Sequence, residues 1–547
     1  MLRLLIETCV HRRVAALFAT LVVAVFGLRA YLDTPIEAYP DVTNTQVTVI
    51  TQFAGNAPEE IERRITVPLE RELNGTPGMT LMRSESLFGL SLITMTFSDD
   101  TASFPARTVA LQRVAAAALP AGVTPELAPE ATPLGEVYQF RLTTDRHDLY
   151  QLRSEMQWNV VRVLRQVPGV ADIVPFGGYL KELHVRVDAA RLFSLGLTLA
   201  DVEQALAKSN LNVGGGFLPN GDQELTVRGI GYLDSPEDIK RIVLKSKSGT
   251  AVTVGDVCTV VQSYTPRRGA VGVGLEKEGI ESFVWMRRGQ NPSLVLDGIL
   301  LEVRRRILTF PEVRKTMSEQ GRPEDGTDNE GVNMSETFIR LKPVREWRAG
   351  YDKKRLIHEM RAVLTEIPGV RYNFSQPMKD NVEEAVSGVR GKVVLKVFGP
   401  DLEKMRATLE QAKDALKAVP GIVDLDLYRD ALTPQLQVRF NRQALARAGV
   451  TMEDAQRTLE TALAGRVVTT MWEGERPVPL RLILPLEIRD DPEKIGAIVV
   501  AGESGARIPL RDLATLQVVE AQLRFLAISG ELERSVGLTA GSAGSRR

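Results

Sequence analysis

Hydrophobic and polar positions along the chain fall into three patterns. The first is a single uncharged run, Val14 to Leu28 (VAALFATLVVAVFGL), 15 residues preceded by Arg3, His11, Arg12 and Arg13. A helix crossing ~30 Å of hydrocarbon needs roughly 20 residues. Extension through Tyr31 and Leu32, with Arg29 snorkelling, supplies such a span. A cleaved signal peptide shares the basic start and short apolar stretch. The exit Arg29-Ala30-Tyr31-Leu32-Asp33 offers no A-x-A cleavage site, which favours an uncleaved anchor. Basic residues before the run and Asp33, Glu37 and Asp41 after it place the N-terminus in the cytoplasm and the remainder on the exported side. No second run of comparable length occurs.

Beyond residue 35 strand-like alternation and helical spacing take turns. Thr45 to Phe53 (TQVTVITQF) alternates as a strand, and Pro58 to Leu73 carries Ile61, Ile65, Leu69 and Leu73 four apart on one helical face. Pro58 suits a first turn, and Glu59, Glu60 and Glu62 favour the positive end of the helix dipole. Asn74-Gly75-Thr76-Pro77-Gly78 stops that helix, and Leu90 to Phe97 (LSLITMTF) is the next strand. Strand, helix and strand make a half-buried α/β sandwich unit.

The third pattern is repetition. Val167-Pro168-Gly169-Val170 returns 252 residues later as Val419-Pro420-Gly421-Ile422. Gly196-Leu197-Thr198 with Asp201 returns 253 residues on as Gly449-Val450-Thr451 with Asp454. Asp234-Ser235-Pro236-Glu237 and the segment Val252 to Val257 recur 256 residues on, as Asp490-Asp491-Pro492-Glu493 and Ile508 to Leu513. Four matches in order, drifting by four residues, indicate a duplicated module of roughly 120 residues rather than a solenoid.

Composition narrows the function classes. A chain of 547 residues is too long for one ordinary core. Lys and Arg total 68 against 69 Asp and Glu, without the basic excess of a nucleic-acid binder. A mean hydropathy of −0.07 excludes a polytopic membrane protein over the whole length. The two cysteines, Cys9 and Cys258, build no disulfide framework and no thiolate zinc site. The four histidines, His11, His147, His184 and His358, contain no HExxH. Gly214-Gly215-Gly216 lacks the GK[ST] of a phosphate loop and is expected to form a hairpin. Gly272-Val273-Gly274 lies in a strand-like stretch without the rest of a dinucleotide fingerprint. The run Arg304-Arg305-Arg306 is expected on the solvated face of a helix. No nucleophile, base and orienter assemble, so the expectation is a non-enzyme without cofactors.

Several stretches together resemble the heavy-metal branch of the resistance-nodulation-division permeases. They are Tyr39-Pro40-Asp41-Val42 with Ala54 to Glu62, Ser84-Glu85-Ser86, Gly321 to Asp328 (GRPEDGTD), Phe374-Ser375-Gln376-Pro377 and Trp472-Glu473-Gly474-Glu475-Arg476. The resemblance implies an α+β fold: one N-terminal transmembrane helix, ferredoxin-like βαβ porter subdomains, and docking subdomains inserted in each of two halves. The domains expected from it are residues 1–35, the cytoplasmic start and helix, and residues 36–135, a first porter subdomain. Residues 136–300 follow as a second, with docking residues at about 185–265. Residues 301–378 form a partial third, and residues 379–547 a truncated fourth with its own docking insertion. Such permeases place further helices between the halves. Here Gly289 to Leu294, like the start of one half's closing helix, runs almost directly into Val303 to Glu312, like the opening helix of the next. An internal deletion and a C-terminus short of the last porter strands are therefore expected.

The resemblance also implies proton-coupled cation export through intramembrane carboxylates, and the span Val14 to Leu28 holds none. Candidate cleft ligands are Glu136, Glu383, Glu384, Asp426 and Asp430. Where copper and silver exporters place a methionine, this chain has Glu384, and its 13 methionines do not cluster, with Met471 alone near another cleft-like segment. Carboxylates suit harder cations, of the zinc, cobalt, nickel or cadmium class. Taken singly, each acid reads more readily as part of a solvated surface, Glu383 and Glu384 on a helix face and Asp430 in a turn. Expected partners are a divalent heavy-metal cation, a periplasmic adaptor, an outer-membrane channel and two further copies of the chain. Two other readings stay open: a membrane-tethered periplasmic metal-binding or adaptor-docking module, and a soluble periplasmic protein released by cleavage.

Overall fold

In the computed structural model the described residues are 11–33 and 44–542, apart from 131–137, 145, 167–169, 221–222, 248–249, 268, 276–278, 286–293, 324, 327–333, 368–371, 378, 381–392, 400, 421, 429–431, 503–506, 523 and 529–533. Two units separate at residue 42. In the first, helix α1 (Arg13–Asp33) is long and apolar enough to cross a membrane.

The second unit is mixed helix and strand. Strands β1 (Gln46–Gln52), β2 (Met79–Leu87), β3 (Leu90–Phe97) and β4 (Pro125–Leu127) form one sheet region in the order β2-β3-β1-β4. Over it lies α2, the helical run 58–73, whose middle turn widens to a π-helix. Ile61, Ile65, Leu69 and Leu73 are wholly buried against Val47, Val49, Ile93 and Met95, the face that the four-residue spacing marks. Helix α3 (Ser103–Val114) closes this core with Ala106 and Ala110.

Two series of elements then follow in one order. In the first come β5 (Tyr138–Leu142), helical run α4 (149–164), β6 (Asp172–Gly177), β7 (Lys181–Val187), α5 (Ala189–Ser194), α6 (Leu199–Lys208), and the hairpin β8 (Val213–Asn220) with β9 (Gln223–Gly229). These lead into α7 (Pro236–Lys240), β10 (Val243–Lys247), β11 (Thr250–Thr253), α8 (Val254–Val257), β12 (Cys258–Tyr264), β13 (Gly269–Val273) and β14 (Ile280–Trp285). Between the series stand α9 (Leu294–Ile307), β15 (Val313–Gly321), β16 (Ser335–Leu341) and α10 (Lys353–Thr365). The second series opens with β17 (Val393–Gly399), α11 (Leu402–Leu416), β18 (Ile422–Tyr428), β19 (Leu432–Phe440), α12 (Arg442–Ala448), α13 (Met452–Leu463), and the hairpin β20 (Arg466–Glu473) with β21 (Arg476–Ile483). Short helices α14 (Leu486–Arg489) and α15 (Pro492–Gly496) come next, then β22 (Val499–Ala501), β23 (Arg507–Pro509), α16 (Leu510–Leu513), β24 (Ala514–Gln522), β25 (Arg524–Ile528) and β26 (Arg534–Ser542).

Pairings repeat with the elements. Strand β14 lies between β5 and β6 as β26 lies between β17 and β18, and β7 pairs with β12 as β19 pairs with β24. Each series also lends a strand outward: β13 pairs with β15, and β25 pairs with β2. Local chemistry explains why the motifs recur. Thr198 and Thr451 each accept a hydrogen bond from the backbone N–H of the aspartate three residues on, starting α6 and α13. Gly196 and Gly449 turn the chain out of the preceding helix at φ +73° and +62°. Pro236 and Pro492 occupy first turns after the capping residues Ser235 and Asp491. Of the Val-Pro-Gly pair, residues 167–169 and 421 lie outside the described residues.

Two expectations change. The solvated face proposed for Arg304-Arg305-Arg306 holds for Arg305 alone. Arg304 is 2% exposed and its Nε donates to the Gly274 carbonyl at 2.9 Å, because α9 packs on β13 and Gly272 leaves room for the guanidinium. The two helices expected around residues 289–312 are one continuous helix from Leu294 to Ile307. Strand β26 pairs with β17 and β18 as β14 pairs with β5 and β6.

Candidate functional site

The predicted metal ligands Glu136, Glu383, Glu384 and Asp430 lie outside the described residues. Asp426 lies on β18, with its backbone opposite Thr539 of β26. Among the described residues no three His, Cys, Asp or Glu side chains are grouped so as to hold a metal ion. Met471, the methionine expected near a cleft, is instead 2% exposed inside a hydrophobic core, because it points inward from β20 among Val478, Leu480 and Leu482. Cys258 is a buried thiol whose pKa burial pushes up to about 12, so it stays protonated and unreactive.

What the described residues do assemble is a joint between the two series. Strand β21 lies parallel to β7, with Leu480 to Ile483 opposite Leu183 to Arg186. The hairpin of the second series therefore completes a four-stranded sheet, β12-β7-β21-β20, whose other two strands come from the first. One core runs beneath it, from Leu183, Val185 and Leu206 to Leu445, Leu480, Leu482 and Leu510.

Buried charge fixes this joint. Glu182 on β7 is 2% exposed. Arg481 on β21 donates to both its oxygens, Nε to Oε2 at 2.7 Å and Nη2 to Oε1 at 2.9 Å. Thr265 Oγ1 donates to Oε1 at 3.0 Å, and His184 Nε2 lies 3.1 Å from Oε2. Burial alone would raise the carboxyl pKa; the hydrogen bonds from Arg481 and His184 outweigh it and bring it to about 2. Four contacts from three residues occupy the carboxylate, so its chemistry is that of a clamp rather than a ligand or a base.

Other polar contacts act in the same direction. Asn210, after α6, donates to Thr469 Oγ1 and the Thr470 carbonyl of β20 at 2.9 and 2.8 Å while accepting from Leu233 N at 3.0 Å. Glu203 on α6 is held by Arg457 on α13 at 2.7 Å. At the turn of the hairpin Glu473 meets Lys181 at 2.6 Å and Arg476 meets Glu155 at 3.0 Å. The Trp472 to Arg476 stretch is thus the end of the hairpin, tied at both flanks to the first series. The Gly321 to Asp328 stretch makes a second tie: Arg322 Nη2 donates to the Phe88 carbonyl at 2.8 Å, and Gln52 Nε2 donates to the Asp325 carbonyl at 2.7 Å. Nothing in the sequence pairs Glu182 with Arg481 or Phe88 with Arg322, because periodicity reports neighbours along an element and these partners lie hundreds of residues apart.

A duplicated α+β chain with one apolar N-terminal helix, its two series joined by the β20–β21 hairpin, has the design of a resistance-nodulation-division permease. The model of the AcrB/AcrD/AcrF family matches residues 5–305 and 298–531. The chain belongs to this family, and cation efflux proteins CusA and CzcA are among its relatives. The cation efflux system protein CusA of Escherichia coli (strain K12) is 32% identical over 347 residues, 62% of this chain and 33% of that protein. The cobalt-zinc-cadmium resistance protein CzcA of Cupriavidus metallidurans is 35% identical over 319 residues, 56% of this chain and 30% of that protein. The aligned part of the chain thus spans about a third of the length of these relatives. A crystal structure of a heavy metal efflux pump shares the fold, with a TM-score of 0.91 at 22% identity, covering 99% of this chain and 80% of that one. The two family matches meet at residues 298–305, inside α9.

Proposed function

We propose that the chain is the porter and docking portion of an inner-membrane heavy-metal cation efflux permease of the proton/cation antiport kind. The observation that carries this reading is the identity with CusA and CzcA across more than half the chain. On this reading β5-α4-β6-β14 and β17-α11-β18-β26 are ferredoxin-like porter subdomains. Elements β7 to β12 and β19 to β24 are the docking insertions. Helix α1 anchors the chain with its N-terminus in the cytoplasm, and the bulk is periplasmic. The permease as a whole binds and moves cations and is no enzyme. The cation class is divalent, zinc, cobalt, nickel or cadmium, and Glu136, Glu383, Glu384, Asp426 and Asp430 are the ligands in the cleft. This chain alone binds without transporting, since α1 carries no carboxylate between Val14 and Leu28 to couple a proton gradient. A periplasmic adaptor and an outer-membrane channel complete the assembly.

The repeat supports self-association. Strand β7 has β12 on one edge and β21 on the other, whereas among the described residues β19 pairs only with β24. The counterpart hairpin, β8 with β9, stands out with Val213, Phe217, Leu218 and Ile230 exposed. A second copy supplying this hairpin to β19 repeats between chains the joint that β21 and β7 make within one, and a closed ring of three copies satisfies every hairpin.

Titration of the purified full-length chain with zinc, cobalt and nickel ions, beside growth of a metal-sensitive host, tests the proposal. Saturable binding with no rescue of growth is expected. Resistance conferred by these 547 residues with no other permease in the cell defeats the separation of binding from transport.

A further inference from the structure

An apolar cavity of about 270 Å³ lies where the first series meets the second in the docking region. Its walls include Leu192, Phe193, Leu197 and Leu199 from α5 and α6, and Leu484 and Ile498 from the stretch after β21. Thr198 and Lys494 are the polar exceptions, and each is engaged: Thr198 caps α6, and Lys494 Nζ donates to the Glu487 carbonyl at 2.8 Å. An apolar space of this size does not hold ordered water well and favours hydrocarbon.

Two cations converge beside it. A Cβ on Gly196 would stand 3.0 Å from Arg507 Nη2 and 3.6 Å from Lys245 Nζ, so both groups crowd one point next to Leu197. Arg507 Nη1 donates to the Phe193 carbonyl at 2.9 Å, and its guanidinium lies 5.6 Å from the centroid of the Phe193 ring that walls the cavity. Among the described residues neither Lys245 nor Arg507 has a carboxylate partner. Like charges brought together without a counter-charge repel, and an anion relieves both.

We propose that this cavity, with Arg507 and Lys245 at its edge, binds an anionic amphiphile of single-chain type, its alkyl chain in the cavity and its carboxylate on the two cations. Apolar walls and a paired cation select for both parts of such a molecule, and a neutral chain or a short anion satisfies only one. The site is independent of the metal cleft, and its occupant bridges the two series where the exchanged hairpin enters.

The test uses the full-length chain in phosphatidylcholine nanodiscs and a diazirine-bearing alkyl carboxylate as photoprobe. Labelling is expected in peptides covering residues 189–199 and 484–499, displaced by decanoate, and displaced about tenfold less well by decanol, which lacks the charge. Replacing both cations, Lys245→Gln with Arg507→Gln, is expected to weaken labelling by about tenfold. Ala497→Phe, at an exposed position of the cavity wall, and Leu199→Trp both fill the space and should abolish labelling, with circular dichroism confirming the fold. Label found only elsewhere, equal displacement by decanol, or unchanged labelling in both cavity-filling variants overturns the proposal.

Discussion

Arg481 holds Glu182 with two hydrogen bonds, at 2.7 and 2.9 Å, across a parallel strand pair whose members stand 299 residues apart. Removing one partner leaves the other charge buried without compensation, which costs about 3–5 kcal/mol. Arg481→Met and Glu182→Ala should each lower the thermal midpoint of the chain, and the double variant with apolar residues at both positions should recover much of the loss. Circular dichroism melts of the three variants against the parent check this; simple additivity of the two single losses would mean that the pair is not coupled.

The same pair sets a pH dependence. The Glu182 carboxyl is held at about 2, below its ordinary 4.5. A depressed carboxyl contributes stability that is complete above the unfolded value and lost as pH falls toward the folded one. Stability should therefore decline between about pH 5 and pH 2. Glu182→Gln, which removes the titrating group, should flatten that part of the curve, as read from denaturant midpoints at successive pH values.

Within the core of β1 to β4 and α2 the expected cost is of another kind. Leu69 is wholly buried among Ile65, Leu73, Met95 and Phe97. Leu69→Ala removes apolar burial and leaves a cavity, for a loss of about 2–5 kcal/mol. A shift below 1 kcal/mol in a denaturant melt would show that the surrounding helix collapses into the space.

These cases show what the sequence makes legible. The four-residue spacing of Ile61 to Leu73 identifies the buried face because a helix repeats its own environment every turn. The Gly196 and Gly449 motifs reveal the duplication because capping and left-handed turns impose residue types at fixed spacing. Arg304 escapes such reading: three consecutive arginines suggest solvent, and only the approach of β13 at Gly272 encloses one of them. Met471 escapes it likewise, since whether a strand residue faces a cleft or a core depends on a partner strand far along the chain. The acidic cleft residues remain a reading of the family resemblance, with Asp426 alone on a described strand.

The free hairpin gives a prediction about assembly. Strands β8 and β9 bury none of Phe217, Leu218 or Leu225 within the chain, although their counterparts β20 and β21 bury Met471, Val478 and Leu480. Replacing residues 213–229 with a short Gly-Ser linker should leave the fold intact and abolish self-association. Multi-angle light scattering in nanodiscs or mild detergent distinguishes the outcomes, and a trimer that survives the deletion rules out the hairpin as its joint.

The donor atoms of the proposed cleft decide which cation it takes. Carboxylates prefer harder divalent cations to monovalent copper or silver, which seek thioether sulfur. Met471 is enclosed in a core and Cys258 is a buried thiol pushed to about 12, so neither supplies a soft site. If Glu384 faces the cleft, Glu384→Ala should weaken zinc or cobalt binding about tenfold without shifting the melting midpoint of the metal-free chain. Glu384→Met should move preference toward silver ion, by exchanging an oxygen donor for a thioether. Calorimetric titration with each ion reads both effects. Unchanged zinc affinity in Glu384→Ala returns this residue to the solvated surface and leaves Glu136, Glu383, Asp426 and Asp430 to be tested by the same substitution.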